Sequence, residues 1–236
     1  APNNKRLGVM LPYTPLHYLL MEEYAALVMT SANYSDEPII YREEDSAKLS
    51  GLVDAYLTHN RKILRRCDDS VMACTDDGQS FFMRRSRGFV PEPIEIAGCK
   101  SNILAVGAEQ KNAFCLTRGS QAFMSQHIGN LDNLATYAGY QQEIAFFEKI
   151  FACSPKYLAH DLHPQYLSTH YVHEEYPQLP QIAVQHHHAH LASVLAEHQV
   201  EGPAIGLIYD GTGYGTDGHL WGGEILIGDC YDYRRA

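Results

Sequence analysis

From residue 102 onward the apolar runs come in an order that few architectures can accommodate. "NILAVGA", "NAFCLTR" and "QAFMSQHI" read as strands, with Gly119-Ser120 a tight hairpin turn between the last two. A helix predicted over 131–152 follows. Next come strand-like "YLAHDL", a helix over 164–176, strand-like "QIAVQ", a helix opening on histidines, and strand-like "AIGLIYD". Strands joined through helices run parallel, whereas strands joined by tight turns run antiparallel. The order therefore predicts an α/β fold with a mixed sheet.

Before residue 98 the texture differs. Helical periodicity covers 15–26, "LVMTSAN" reads as a strand entering a polar turn, and a second helix is predicted over 42–52. Short alternating stretches follow, "AYLTHN", "SVMAC" and "QSFFMRR", the last two separated by an Asp-Gly turn in "DDGQ". The proline- and glycine-containing "RSRGFVPEPIEIAGCKS" reads as a linker, which puts domain boundaries at 1–97 and 98–236. No internal repeat stands out. The run over 220–228 lacks an obvious partner strand, and the first residue is not Met, so the chain reads as an internal slice of a longer polypeptide.

Composition excludes some function classes. Lys and Arg number 18 against 28 Asp and Glu, a formal charge of -10, which argues against a broad surface for duplex nucleic acid. No apolar stretch reaches the ~18 residues of a membrane span, and the first residues resemble no secretory signal. The six cysteines are scattered without a C-x-x-C pair, which fits a reducing cytoplasm better than a disulfide framework or a zinc ribbon.

"VQHHHAHLASVLAEH" carries the sharpest chemical signal. His186 and His190 lie four apart where a strand turns into a helix, one helical turn that puts both imidazoles on one face. That spacing suits two ligands on one metal, although histidines at this spacing also arise as packing residues. Asp210, at the end of the next strand, offers a third ligand, and such a set suits Zn, Fe(II) or, less well, Mg. The glycine-rich "DGTGYGTDGHLWGGE" matches neither a Walker A loop nor a Rossmann fingerprint, and its spacing leaves a hairpin and a phosphate loop equally open. Lys111, beside Gly107, stands between the same two readings. His127, His160, His163 and Asp161 lie near strand ends where ligands bind, but read as satisfied structural groups.

Taken together, "QIAVQHHHAH", "DGTGYG", "LWGGE", "GAEQKNAFCL", "SQHIGNL" and "HDLHPQY" resemble the HypF family of carbamoyltransferases, whose transferase domain is actin-like (ASKHA) and related to TsaD. "KRLGVMLPYTPLHYLL", "TSANYSDEP", "RCDDSVM" and "RRSRGFVP" resemble the carboxyl half of that family's YrdC-like domain. The resemblance implies part of a YrdC-like α/β domain followed by the first lobe of the actin-like mixed-sheet domain.

It also implies an activity. The whole protein would release carbamate from carbamoyl phosphate, adenylate it with ATP, and pass the carbamoyl group to the C-terminal cysteine of HypE. Under this resemblance His186, His190 and Asp210 hold a divalent metal, and a further aspartate lies outside the chain. Lys5, Ser31, Asn33, Arg87, Lys111, Gly211 and Gly213 become nucleotide contacts, with Arg84 or Arg85 as alternatives to Arg87. No catalytic nucleophile is assigned, because the thiol belongs to the partner. Two other readings stand beside it: a metal-dependent nucleotide- or partner-binding module without catalysis of its own, and a threonylcarbamoyl-tRNA enzyme.

Overall fold

The computed structural model describes residues 3–35 and 37–236. Ala1, Pro2 and Asp36, the last inside "TSANYSDEP", lie outside the described residues. The chain divides into two units, Ala1–Ala32 and Asn33–Ala236.

The first unit holds one helix, α1 (Pro15–Met21). Thr14 caps it by accepting from the His17 N–H, and Pro15 opens it. It ends well short of residue 26. None of its residues is buried, and a short helix draws most of its stability from packing. "LVMTSAN" forms no strand among the described residues, and Val28 is 96% exposed. Apolar character alone does not make a strand without a partner ladder.

In the second unit the helix predicted over 42–52 is a short 3-10 helix, Glu43–Leu49, whose one buried residue is Leu49. "AYLTHN" is not a strand either. β1 (Val71–Cys74) and β2 (Ser80–Arg84) pair as the hairpin that "DDGQ" predicts. The stretch read as a linker contains β3 (Ile94–Glu95), which pairs with β6 (Gln121–Met124).

A six-stranded sheet forms the body of the fold. Its other strands are β4 (Ile103–Ala105), β5 (Cys115–Arg118), β7 (Tyr157–Asp161) and β8 (Gln181–Val184), and its order is β3-β6-β5-β4-β7-β8. β4, β7 and β8 run parallel, while β5 and β6 are antiparallel, so the sheet is mixed as expected. α2 (Leu134–Ile150) buries Tyr140, Ile144 and Phe147 in a core with Leu104, Val106, Phe114, Leu116 and Leu158. It begins three residues later than predicted because Asn133 accepts from the N–H groups of Ala135 and Thr136, leaving Leu131 free to fill the core.

Between β7 and β8 lies α3 (Leu167–Glu175), whose first N–H is capped at 2.7 Å by Glu109 from the β4–β5 loop. In that loop Gly107 has φ +72°, and an added Cβ would lie 2.4 Å from the Ala113 carbonyl oxygen. Only glycine fits there.

After β8 comes α4 (His186–Glu197), then a three-stranded sheet ordered β13-β12-β9. Its strands are β9 (Ala204–Ile208), β12 (Glu224–Gly228) and β13 (Tyr233–Arg235), and the small hairpin β10 (Gly213–Tyr214) and β11 (Leu220–Trp221) sits between β9 and β12. The run over 220–228, expected to lack a partner strand, thus finds partners on both sides, and "DCYDYRRA" supplies one of them. Leu191 and Leu195 of α4 pack on Ile208 and Leu226 of this sheet. No helix among the described residues is long and apolar enough to cross a membrane.

Candidate metal centre

The four histidines of "HHHAH" have separate tasks. Gln185, just after β8, has extended geometry and caps α4 by accepting from the His188 N–H at 2.9 Å, so the helix begins at His186. His186 and His190 then lie one turn apart with ring centroids separated by 4.9 Å. His187 turns the other way and is fully buried. Its Nδ1 lies 3.0 Å from Gln185 Nε2. His188 Nε2 donates to the Asp229 carbonyl at 2.8 Å, which ties α4 to the β12–β13 turn.

Asp210, just beyond β9, closes the site. Its Oδ2 lies 2.8 Å from His186 Nε2 and 3.6 Å from His190 Nε2. One ligand atom from each of the three residues lies within 4.8 Å of the others, close enough to share one cation. Asp161, read from sequence as structural, stands behind His186: its Oδ2 is 2.6 Å from His186 Nδ1. The signal for it was its place at the end of β7, the strand beside β8.

The electrostatics follow from this arrangement. The hydrogen bond that the His186 ring donates to Asp161, aided by the charges of Asp161 and Asp210, raises the His186 pKa above the ordinary imidazole value despite burial. Burial, reinforced by the neighbouring His186 charge, lowers that of His190. Burial works to raise the Asp210 carboxyl, but the Gly211 N–H and the two imidazoles outweigh it and hold the pKa below the usual range.

The residues expected to contact nucleotide stand in different surroundings. Gly213 is explained by packing: an added Cβ would lie 2.5 Å from the His187 ring and 2.9 Å from His186 Cβ. Gly211 faces open space. Lys111 shares a cavity of about 460 Å³ with Arg84, Arg85 and His127. Arg87 instead pairs with Asp69. Asn33 donates its amide N–H groups to the Tyr34 and Glu37 carbonyls at 2.8 and 2.9 Å, closing its own turn. Lys5 and Ser31 are exposed residues of the first unit.

The sheets and helices define a mixed α/β segment with a histidine–aspartate cluster beside the start of α4. Family models agree along the chain: residues 1–86 match the Sua5/YciO/YrdC model, described as telomere recombination, and 98–197 match the HypF Kae1-like domain. Residues 206–236 match the second subdomain of the carbamoyltransferase Kae1-like domain, so the three-stranded sheet falls in a different subdomain from the six-stranded one.

Carbamoyltransferase HypF2 of Cupriavidus necator is 46% identical over 97% of this chain and 31% of its own length. Carbamoyltransferase HypF of Rhizobium leguminosarum is 44% identical over 100% of this chain and 32% of its own. A crystal structure of full-length HypF in a phosphate- and nucleotide-bound form superposes with a TM-score of 0.89 at 48% identity, covering 97% of this chain and 36% of that one. The crystal structure of T. kodakarensis HypF gives 0.87 at 42%, with coverages of 97% and 31%. The chain belongs to the HypF family, and it spans about a third of the length of the curated relatives it matches.

Proposed function

We propose that this chain is part of an ATP-dependent carbamoyltransferase of hydrogenase maturation, and that His186, His190 and Asp210 hold the divalent cation at its transfer site. The observation that carries the reading is the convergence of two imidazoles and a carboxylate from separate elements, with their ligand atoms within 4.8 Å. When bound, the cation supplies Lewis-acid polarisation of a carbamoyl or phosphate oxygen. The chain's own residues orient it. α4 holds the two imidazoles at fixed spacing, and the open backbone at Gly211 lets a substrate oxygen approach beside Asp210.

The substrates in this reading are carbamoyl phosphate and ATP, with carbamoyl-adenylate as the intermediate, and the acceptor is the C-terminal cysteine thiol of HypE. Lys111 with Arg84 and Arg85 offers cationic contacts for phosphate, supported by their shared cavity. Arg87, Lys5, Ser31, Asn33 and Gly211 are the further nucleotide contacts of this reading, and Gly213 is assigned to packing instead. All six cysteines are free thiols, which supports a reducing, cytoplasmic setting.

The test is elemental analysis of the intact protein, wild type against His186→Ala/His190→Ala. Stoichiometric Zn(II) or Fe(II) in the wild type, lost in the variant together with carbamoyl transfer to the HypE thiol, is expected. Equal metal in both proteins would sink the assignment of these ligands.

A further inference from the structure

The two histidines of the centre are held unequally. His186 is pinned from both edges of its ring, Nδ1 against Asp161 at 2.6 Å and Nε2 against Asp210 at 2.8 Å. The His190 side chain is 52% exposed, and its Nε2 lies 3.6 Å from Asp210. What immobilises His186 is a carboxylate that is itself immobile. Asp161 is 8% exposed and closes β7 in register with Val184 at the end of the parallel strand β8, two residues before His186. Its Oδ1 accepts from the His163 N–H at 2.8 Å, and its backbone carbonyl accepts from Thr169 Oγ1 at 3.3 Å. Carboxylate, backbone and strand register all agree on one position.

We propose that Asp161 is a positioning residue of the cation site. It holds His186 with the proton on Nδ1 and thereby turns the Nε2 lone pair toward Asp210 and the cation. The inference rests on the cation-binding reading above. Asp161 is not itself a ligand of that ion, because it meets the ring on the nitrogen opposite the one that faces Asp210. A carboxylate behind a ligating imidazole fixes the ring's tautomer and orientation and makes the ligand nitrogen more basic; losing such a partner weakens metal binding about 10–100-fold. Sequence position fits the role: the strand end delivers Asp161 beside the start of α4, so a single β-α-β crossover supplies both the ligand and its support.

The experiment measures Zn(II) and Co(II) affinity of the full chain by competition with a chromophoric chelator, for wild type, Asp161→Asn and His186→Ala. Asn has nearly the size of Asp and keeps an oxygen for the His163 N–H. The expected result is one cation per chain in wild type, the same stoichiometry with about 10–100-fold weaker affinity and an altered Co(II) ligand-field spectrum in Asp161→Asn, and loss of the site in His186→Ala. Equal affinity and an equal spectrum in wild type and Asp161→Asn would overturn the role of Asp161 while leaving the centre intact. A wild-type chain that takes up no cation would overturn the centre itself, and the role with it. Should the Asn variant fail to fold, imidazole ¹⁵N spectra of the cation-loaded wild type decide: a proton on His186 Nδ1 is expected, and a cation on Nδ1 refutes the proposal.

Discussion

The molecule builds the same three-stranded meander twice and finishes it differently. β4, β5 and β6 lie in the order 6-5-4, and β9, β12 and β13 repeat that order as 13-12-9. The first meander is extended by β7 and β8 and closed by α2, so Leu104, Leu116 and Phe123 are all at or below 5% exposure. The second is covered on one side by α4, where Ile208 and Leu226 are buried. Its other side shows Ile205, Leu207 and Ile225 to solvent at 69%, 57% and 49%. Identical topology therefore does not make an equal core. The candidate metal centre lies where the two differ, taking histidines from the helix that follows the first sheet and Asp210 from just beyond the strand that opens the second.

The contrast can be broken by substitution. The largest effect is expected in the closed sheet: Phe114→Ala removes a fully buried ring that packs edge-on against Tyr140 and Phe147, and should cost about 3–5 kcal/mol in urea-induced unfolding. A loss below about 1 kcal/mol would mean that the first core is not continuous. Next comes Gly213→Ala, which drives a methyl into the His187 ring and His186 Cβ. A cost of about 1–3 kcal/mol is expected, with weakened cation uptake, because the ring that must shift lies next to a ligand. Unchanged stability and uptake would show that the β10 loop is not packed as described.

Smallest is Leu207→Ser on the bare face of the second sheet. Stability should stay within about 0.5 kcal/mol, while self-association in analytical ultracentrifugation should fall because an apolar patch shrinks. A large destabilisation there would erase the difference between the two sheets.

Sequence patterning revealed the two regions unequally, for a physical reason. The Gly119-Ser120 turn, the β7-α3-β8-α4-β9 alternation and the trio His186, His190 and Asp210 could all be read, because each depends on local periodicity or on placement at a strand end. "LVMTSAN" and "AYLTHN" could not, because a strand requires a partner that local composition does not specify. The pairing of β13 was hidden likewise, in a run with more charge than apolar character. Asp161 escaped because nothing in "HDLHP" tells which nitrogen of which histidine it will meet; the β7–β8 register decides that. The spacing around Gly213 leaves a hairpin and a phosphate loop equally open because open and crowded glycines look alike in sequence.

The parallel register of β4, β7 and β8 also ties the site to pairings between segments distant in the chain. β7 pairs with β4 across more than fifty residues of intervening chain, Ile103 with Tyr157, and such long closures slow folding. β8 pairs with β7 over a shorter separation, Asp161 with Val184, so Asp161 meets His186 only where that register is made, and Asp210 joins them from just beyond β9. A nascent chain with a collapsed but unregistered sheet would present loose histidines and no assembled ligand set. The ligand set is therefore also a gauge of its own scaffold, complete only where the β7–β8 register is correct.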